Sequence, residues 1–203
     1  MPNKRTFLSA SCAALVGAVA APAMAAASKT SAQAAATGPV LLTVTGALQR
    51  TNRGPIDKAL DQMMAKQQLV FDKAYTFDFA ALTRLPVVEI KPTLEYDGKV
   101  HTLRGPLLAD VLKAVGTPTA ADTPLALRAI DGYVTQITMG DAVQQRMLIA
   151  THLDGKPMPL GGLGPLWAVI DADRLPALAA KPLDQRFAQC PWGVFHIAVG
   201  AAG

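Results

Sequence analysis

Apolar positions along this chain recur with two periods, and they sort it into short strands and shorter helices. Leu42 and Val44, followed by Gly46, predict a half-buried first strand that Pro39 opens. From 55 to 68, Ile56, Leu60, Met63 and Met64 recur at helical spacing behind Pro55, predicting a helix with a methionine-rich core face. Asp78 is placed to cap a short helix over 79–82 that must stop before Pro86. Residues 87–90 and 94–96 are β-rich runs broken by Pro92, and Asp97-Gly98 predicts a hairpin turn into a strand over 100–103. Gly105-Pro106 predicts the start of the clearest helix, with Pro106 at its first position. Leu107, Leu108, Val111, Leu112 and Val115 form its apolar face, and Gly116 ends it. Further strands are predicted over 125–130, 133–138, 147–153, 167–170 and 194–199. Asp131-Gly132 and Asp154-Gly155 supply turns, and the last two runs close the sheet.

Strands mixed with one or two short helices, without regular βα alternation, predict an α+β fold with a largely antiparallel, barrel-like sheet. No internal repeat is visible. The N-terminus has a different character. Lys4 and Arg5 precede an apolar run over 7–20, and Ala23-Met24-Ala25 reads as a cleavage site, so 1–25 is predicted to be a Sec-type signal peptide without a twin arginine. The run is too short to span a membrane, and Cys12 lies inside it without lipoprotein context, so no membrane anchor is expected. Residues 26–38 read as an Ala/Ser/Thr-rich tether and 39–200 as one domain. Export would carry it to the periplasm or beyond.

Charge and cysteine use narrow the function further. Of 19 basic residues only Lys4 and Arg5 leave with the signal, so 17 face 15 acidic ones in the mature chain, and nothing favours nucleic acid as a partner. Cys190 is then the sole thiol, with no intramolecular partner, and a lone cysteine in an oxidising compartment reads as buried and inert. His101, His152 and His196 lack metal-ligand spacing. No Ser-His-Asp order, paired-carboxylate motif or nucleotide fingerprint is present.

Four segments in order, FDFAALTRLP, TLEYDGK with RGPLLADVL, DGY, and HLDGKPMPLGGLGPLW, give the chain a resemblance over about 150 residues. It resembles the sulfite-oxidase-type molybdopterin domain, the oxidoreductase molybdopterin-binding family. The resemblance implies the sulfite-oxidase fold and a pterin cleft. In catalytic members a cysteine thiolate in a segment of the form TLxCxG ligates molybdenum; here Tyr96 stands at that position. A phenol is a hard oxygen donor with an ordinary pKa near 10 and a poor substitute for the anionic sulfur that molybdenum of this class needs. The family's Arg after "PL" is replaced by Trp167, removing a charge suited to a pterin phosphate.

Tyr96, Asp131, Tyr133, His152 and Trp167 lie on or beside the segments that match cofactor-side motifs and are the candidates to line the remaining cleft. Residues 161–164 are read as a loop over it. The expectation is a domain that has lost metal catalysis, holds no molybdopterin cofactor, and binds a small molecule or a periplasmic protein. The alternatives are an oxidoreductase that holds molybdopterin through other contacts, and a structural subunit whose cleft is filled by its own side chains.

Overall fold

The first and last strands lie side by side at the centre of the main sheet. The structure, a computed structural model, describes residues 37–200; the predicted signal peptide, Cys12 and most of the tether lie outside them. Strand β1 (Val40–Gly46) runs parallel to β11 (Val194–Val199), and β2 (Ala74–Asp78), β5 (Pro124–Ala129) and β6 (Val134–Thr138) complete the order β2-β1-β11-β5-β6 with antiparallel pairs. Both central strands are buried on two sides, and all six residues of β11 are buried, His196 among five apolar ones. One face of the sheet carries Leu42, Val44, Leu125, Leu127 and Ile197 into the main core. The other packs Ala74 and Phe195 against Met64, Leu69 and Phe71.

Against the main core lie β3 (Val87–Ile90), β4 (Leu103–Pro106), β8 (His152–Leu153) and β9 (Lys156–Pro157), paired antiparallel in that order. A two-stranded ladder joins β7 (Leu148–Ala150) to β10 (Trp167–Val169). It is tied to the end of β4 by the bridge between Leu148 and Leu107, the residue after that strand. The helices are short: α1 (Gln62–Lys66), α2 (Phe79–Thr83), α3 (Leu108–Ala114), α4 (Met139–Gln144) and α5 (Pro176–Ala179). The architecture is mixed α and β, mostly strands, as the pattern predicts. The sheets are open rather than closed into a barrel, because β2 and β6 remain edges of the main sheet. None of the described helices is long and apolar enough to cross a membrane.

Several sequence expectations hold locally. Asp78 Oδ1 accepts from the Ala81 N–H at 2.7 Å and caps α2, while its Oδ2 accepts from Thr37 and Gly38 N–H, holding the last residues of the predicted tether to the sheet. The two roles depress the Asp78 carboxyl below its usual range, through the Ala81 bond first. Leu108, Val111, Leu112 and Val115 are all fully buried. Gly116 ends α3 with φ +70°: its N–H reaches the Lys113 carbonyl and the Thr117 N–H the Leu112 carbonyl.

Others are corrected. The 55–68 helix shrinks to α1, and Leu60 is 82% exposed. Asp57 accepts from the Ala59 and Leu60 N–H groups, and Asp61 from the Asp57 N–H, so local carboxylates take backbone donors that a longer helix would use. Residues 94–96 form no strand: one bridge, Thr93–Val100, closes a compact turn with Tyr96 at its tip. Pro106 ends β4 instead of starting α3, and Leu107 occupies the N-cap. The run 147–153 is divided at Thr151 into β7 and β8. The final strand is central, not closing. Four elements escaped the pattern: β2, despite its Tyr75-Thr76-Phe77 run, α4, despite the Thr138/Asp141 capping box, and the short β9 and α5.

Candidate functional site

Three loops converge at one end of the main sheet: the turn bearing Tyr96, the β5–β6 turn, and the 187–193 segment that leads into β11. Each is pinned by backbone geometry. In the first, the Leu94 N–H reaches the Lys99 carbonyl at 2.9 Å and the Thr93 N–H reaches Asp173 Oδ2 at 2.7 Å. His101 ties that turn to the 154–155 turn, with Nε2 3.0 Å from Asp97 Oδ2 and Nδ1 2.7 Å from Asp154 Oδ2. Its two carboxylate partners, Asp154 first, raise the imidazole pKa above the ordinary value. The ring nitrogens face opposite ways, so the three groups do not converge on a cation. Among the described residues no cluster of three or more ligating side chains does.

In the second loop, Asp131 Oδ1 accepts from the Tyr133 N–H at 2.9 Å, an Asx turn that fixes both side chains. The Tyr133 hydroxyl then donates to the Ala188 carbonyl at 2.6 Å, bridging to the third loop. That loop is held by the Ala168 N–H to the Pro191 carbonyl, the Ile130 N–H to the Gly193 carbonyl, and the Trp167–Trp192 bridge.

The result is a pocket of about 240 Å³ lined by Glu95, Tyr96, Asp131, Tyr133, Phe187 and Trp192, with Cys190 in its wall. A second hollow of about 500 Å³ adjoins it and shares Tyr96, Asp131 and Trp192; Leu160, Leu163 and residues 161, 162 and 164 line its far side. Tyr96, Tyr133 and Trp192 are 55%, 48% and 38% exposed, and they are the large exposed aromatic side chains of the described residues. All three stand around this one pocket. Exposed aromatic surface is unfavourable in water, so its concentration around one concave site makes that site the candidate contact surface.

The sequence candidates divide on this geometry. Tyr96, Asp131 and Tyr133 line the pocket. Trp167 is fully buried beneath it, donating from Nε1 to the Cys190 carbonyl at 2.9 Å, with its ring 6.3 Å from Tyr96 and 6.0 Å from Phe187. It is floor rather than wall. His152 lines neither hollow. It sits on β8 with Nδ1 2.8 Å from Thr151 Oγ1 and its ring 5.5 Å from Phe79, and burial followed by the Arg104 charge lowers its pKa. Glu95, Phe187 and Trp192 were not read as site residues. The signal for Trp192 was its place between Pro191 and Gly193, a turn context instead of an alternating strand.

Electrostatics test the pocket against the molybdenum cofactor that the resemblance implies. Burial, then the Glu95 carboxylate that takes the phenol's hydrogen bond, pushes Tyr96 up to about 12, so it keeps its proton. Burial raises the Cys190 thiol to about 12 as well. Two carboxylates, Glu95 and Asp131, line the pocket, and neither hollow is lined by a Lys, Arg or His. An anionic pterin phosphate would therefore meet repulsion and no counter-charge. The residues present do not fit that group. Comparison of the chain with models of known protein families and with curated proteins finds no match, so the site's chemistry rests on its own geometry.

Proposed function

We propose that this domain is an exported binding module, related in fold to the sulfite-oxidase-type molybdopterin domains but without metal catalysis, that holds a small ligand in the pocket around Tyr96, Asp131, Tyr133 and Trp192. The observation that carries the reading is the gathering of the exposed aromatic side chains around one concave site, with two carboxylates among them. Pockets that combine apolar walls with a few convergent polar groups are the usual form of a small-molecule site. The Tyr96 phenol at the thiolate position and the absence of a cationic lining residue support the loss of oxo-transfer chemistry.

Metal analysis and a dye-linked reductase assay, both on protein purified from its native periplasm, test this. Trace molybdenum and no turnover of sulfite or sulfoxides are expected. Near-stoichiometric molybdenum retained through dialysis would return the chain to the oxidoreductases. The structural-subunit reading draws on Trp167 and Phe187, which fill the floor beneath Tyr96. The hollow left above that floor favours binding.

A further inference from the structure

We infer that the ligand of this pocket is a small organic cation carrying an alkylated ammonium group. The proposal deepens the binding-module reading and rests on it. Four properties of the lining converge on that chemistry. Tyr96, Tyr133 and Trp192 present partly exposed ring surface around the pocket, and the negative potential above aromatic faces attracts cations, most of all over indole. Glu95 and Asp131 add two carboxylates in the same lining, and no basic side chain offsets them.

The polar groups are also of the wrong kind for an anion. The Tyr133 hydroxyl is already committed to the Ala188 carbonyl, and the Tyr96 hydroxyl to Glu95. Asp131 uses Oδ1 for the Tyr133 N–H and leaves its other oxygen without a protein partner among the described residues. Carboxylate acceptors and π-faces remain where both phenol donors are engaged. An N-alkylated cation needs no donor and suits such a lining.

Shape agrees with charge. The aromatic pocket, about 240 Å³, falls below the ~300–1,000 Å³ of sites for drug-sized molecules. The adjoining hollow, bordered by Ile130, Leu160 and Leu163, offers an apolar shelf for an attached chain.

Isothermal titration calorimetry of the intact mature protein with choline chloride tests the inference, against 3,3-dimethylbutan-1-ol as the neutral isostere and sodium acetate as the anion. Saturable choline binding at least about tenfold tighter than the isostere is expected, with no acetate binding. Trp192→Ala should weaken choline by about tenfold or more, and so should Asp131→Asn, which keeps the oxygen that receives the Tyr133 N–H. Glu95→Gln serves as a second charge-neutral variant if Trp192→Ala fails to fold, with circular dichroism as the control for structure. Equal affinity for choline and its isostere, no choline binding, or binding that survives both charge-neutral variants would overturn the cation assignment. A molybdenum-free protein that ignores choline loses only this assignment, whereas stoichiometric molybdenum removes the binding-module reading too.

Discussion

Substituting Gly105 by alanine tests the β4–β7 junction, which backs the strand that carries Trp167, the floor of the site. Gly105 lies buried on β4, and a Cβ built there would fall 2.1 Å from the Ile149 carbonyl oxygen of β7, where real contacts essentially never drop below 3.0 Å. The obstructing atom is backbone, so no side-chain rotation relieves it. Parting the strands by about 1 Å would stretch two bonds that straddle the contact beyond hydrogen-bond range. These are the Thr151 N–H to the Arg104 carbonyl at 2.9 Å and the Leu108 N–H to the Met147 carbonyl at 2.8 Å. Each is worth ~0.5–1.5 kcal/mol, and overpacking adds ~1–3 kcal/mol, giving a loss of about 2–6 kcal/mol. For a domain of this size the middle of that range, about 4 kcal/mol, lowers Tm by about 8–16 °C. Urea unfolding followed by tryptophan fluorescence measures it, because Trp167 stands on β10, the direct partner of β7. The sign alone is decisive. Gly105 has no left-handed φ, and without the clash alanine there would stabilise by ~0.4–1 kcal/mol through the unfolded chain. A Gly105→Ala protein as stable as the parent, or more stable, would refute the β4–β7 approach.

Leu112→Ala should cost ~2–5 kcal/mol, because Leu112 is fully enclosed with Leu108, Val111 and Val115; thermal denaturation showing a change under about 1 kcal/mol would place that face outside the core. The two histidines should give pH slopes of opposite sign. Burial, then the Arg128 charge, holds His196 down to about 4, with Nε2 2.9 Å from Thr45 Oγ1; stability is therefore present above the unfolded-state value near 6.5 and lost as pH falls towards 4, by about 3 kcal/mol. His196→Gln should flatten that slope in urea titrations, and an unchanged slope would assign it elsewhere. His101 is raised instead, so its contribution is complete below about 6.5 and fades as pH rises through the folded-state value. His101→Asn should remove that alkaline decline in Tm and soften the acid limb too, because His101 is the first cause that lowers the Asp97 and Asp154 carboxyls; a retained alkaline decline would discount the pairing.

Local rules determined what lay within a few residues. The cap at Asp78, the buried face of α3 and its end at Gly116 follow from short-range hydrogen bonding and helical spacing, and a sequence displays both. The same rules placed Asp131 and Tyr133 on a common turn, since an Asx turn spans three residues. Tertiary structure decided what depends on distant partners. Gly105-Pro106 looks like a helix start until Ile149 is brought against it, and only then does the glycine have a steric reason. The last strand reads as an edge until it is seen inserted between β1 and β5, a pairing across most of the described chain that no local pattern encodes. The pocket is of the same kind. Glu95 and Tyr96, Asp131 and Tyr133, and Phe187 and Trp192 belong to three loops far apart in sequence, and each aromatic read alone is as consistent with core as with surface. Burial separated them: Trp167 went beneath the floor while Tyr96, Tyr133 and Trp192 stayed in contact with solvent. Exposure is a property of the packed whole, so composition and spacing could nominate these residues but only the fold could sort them.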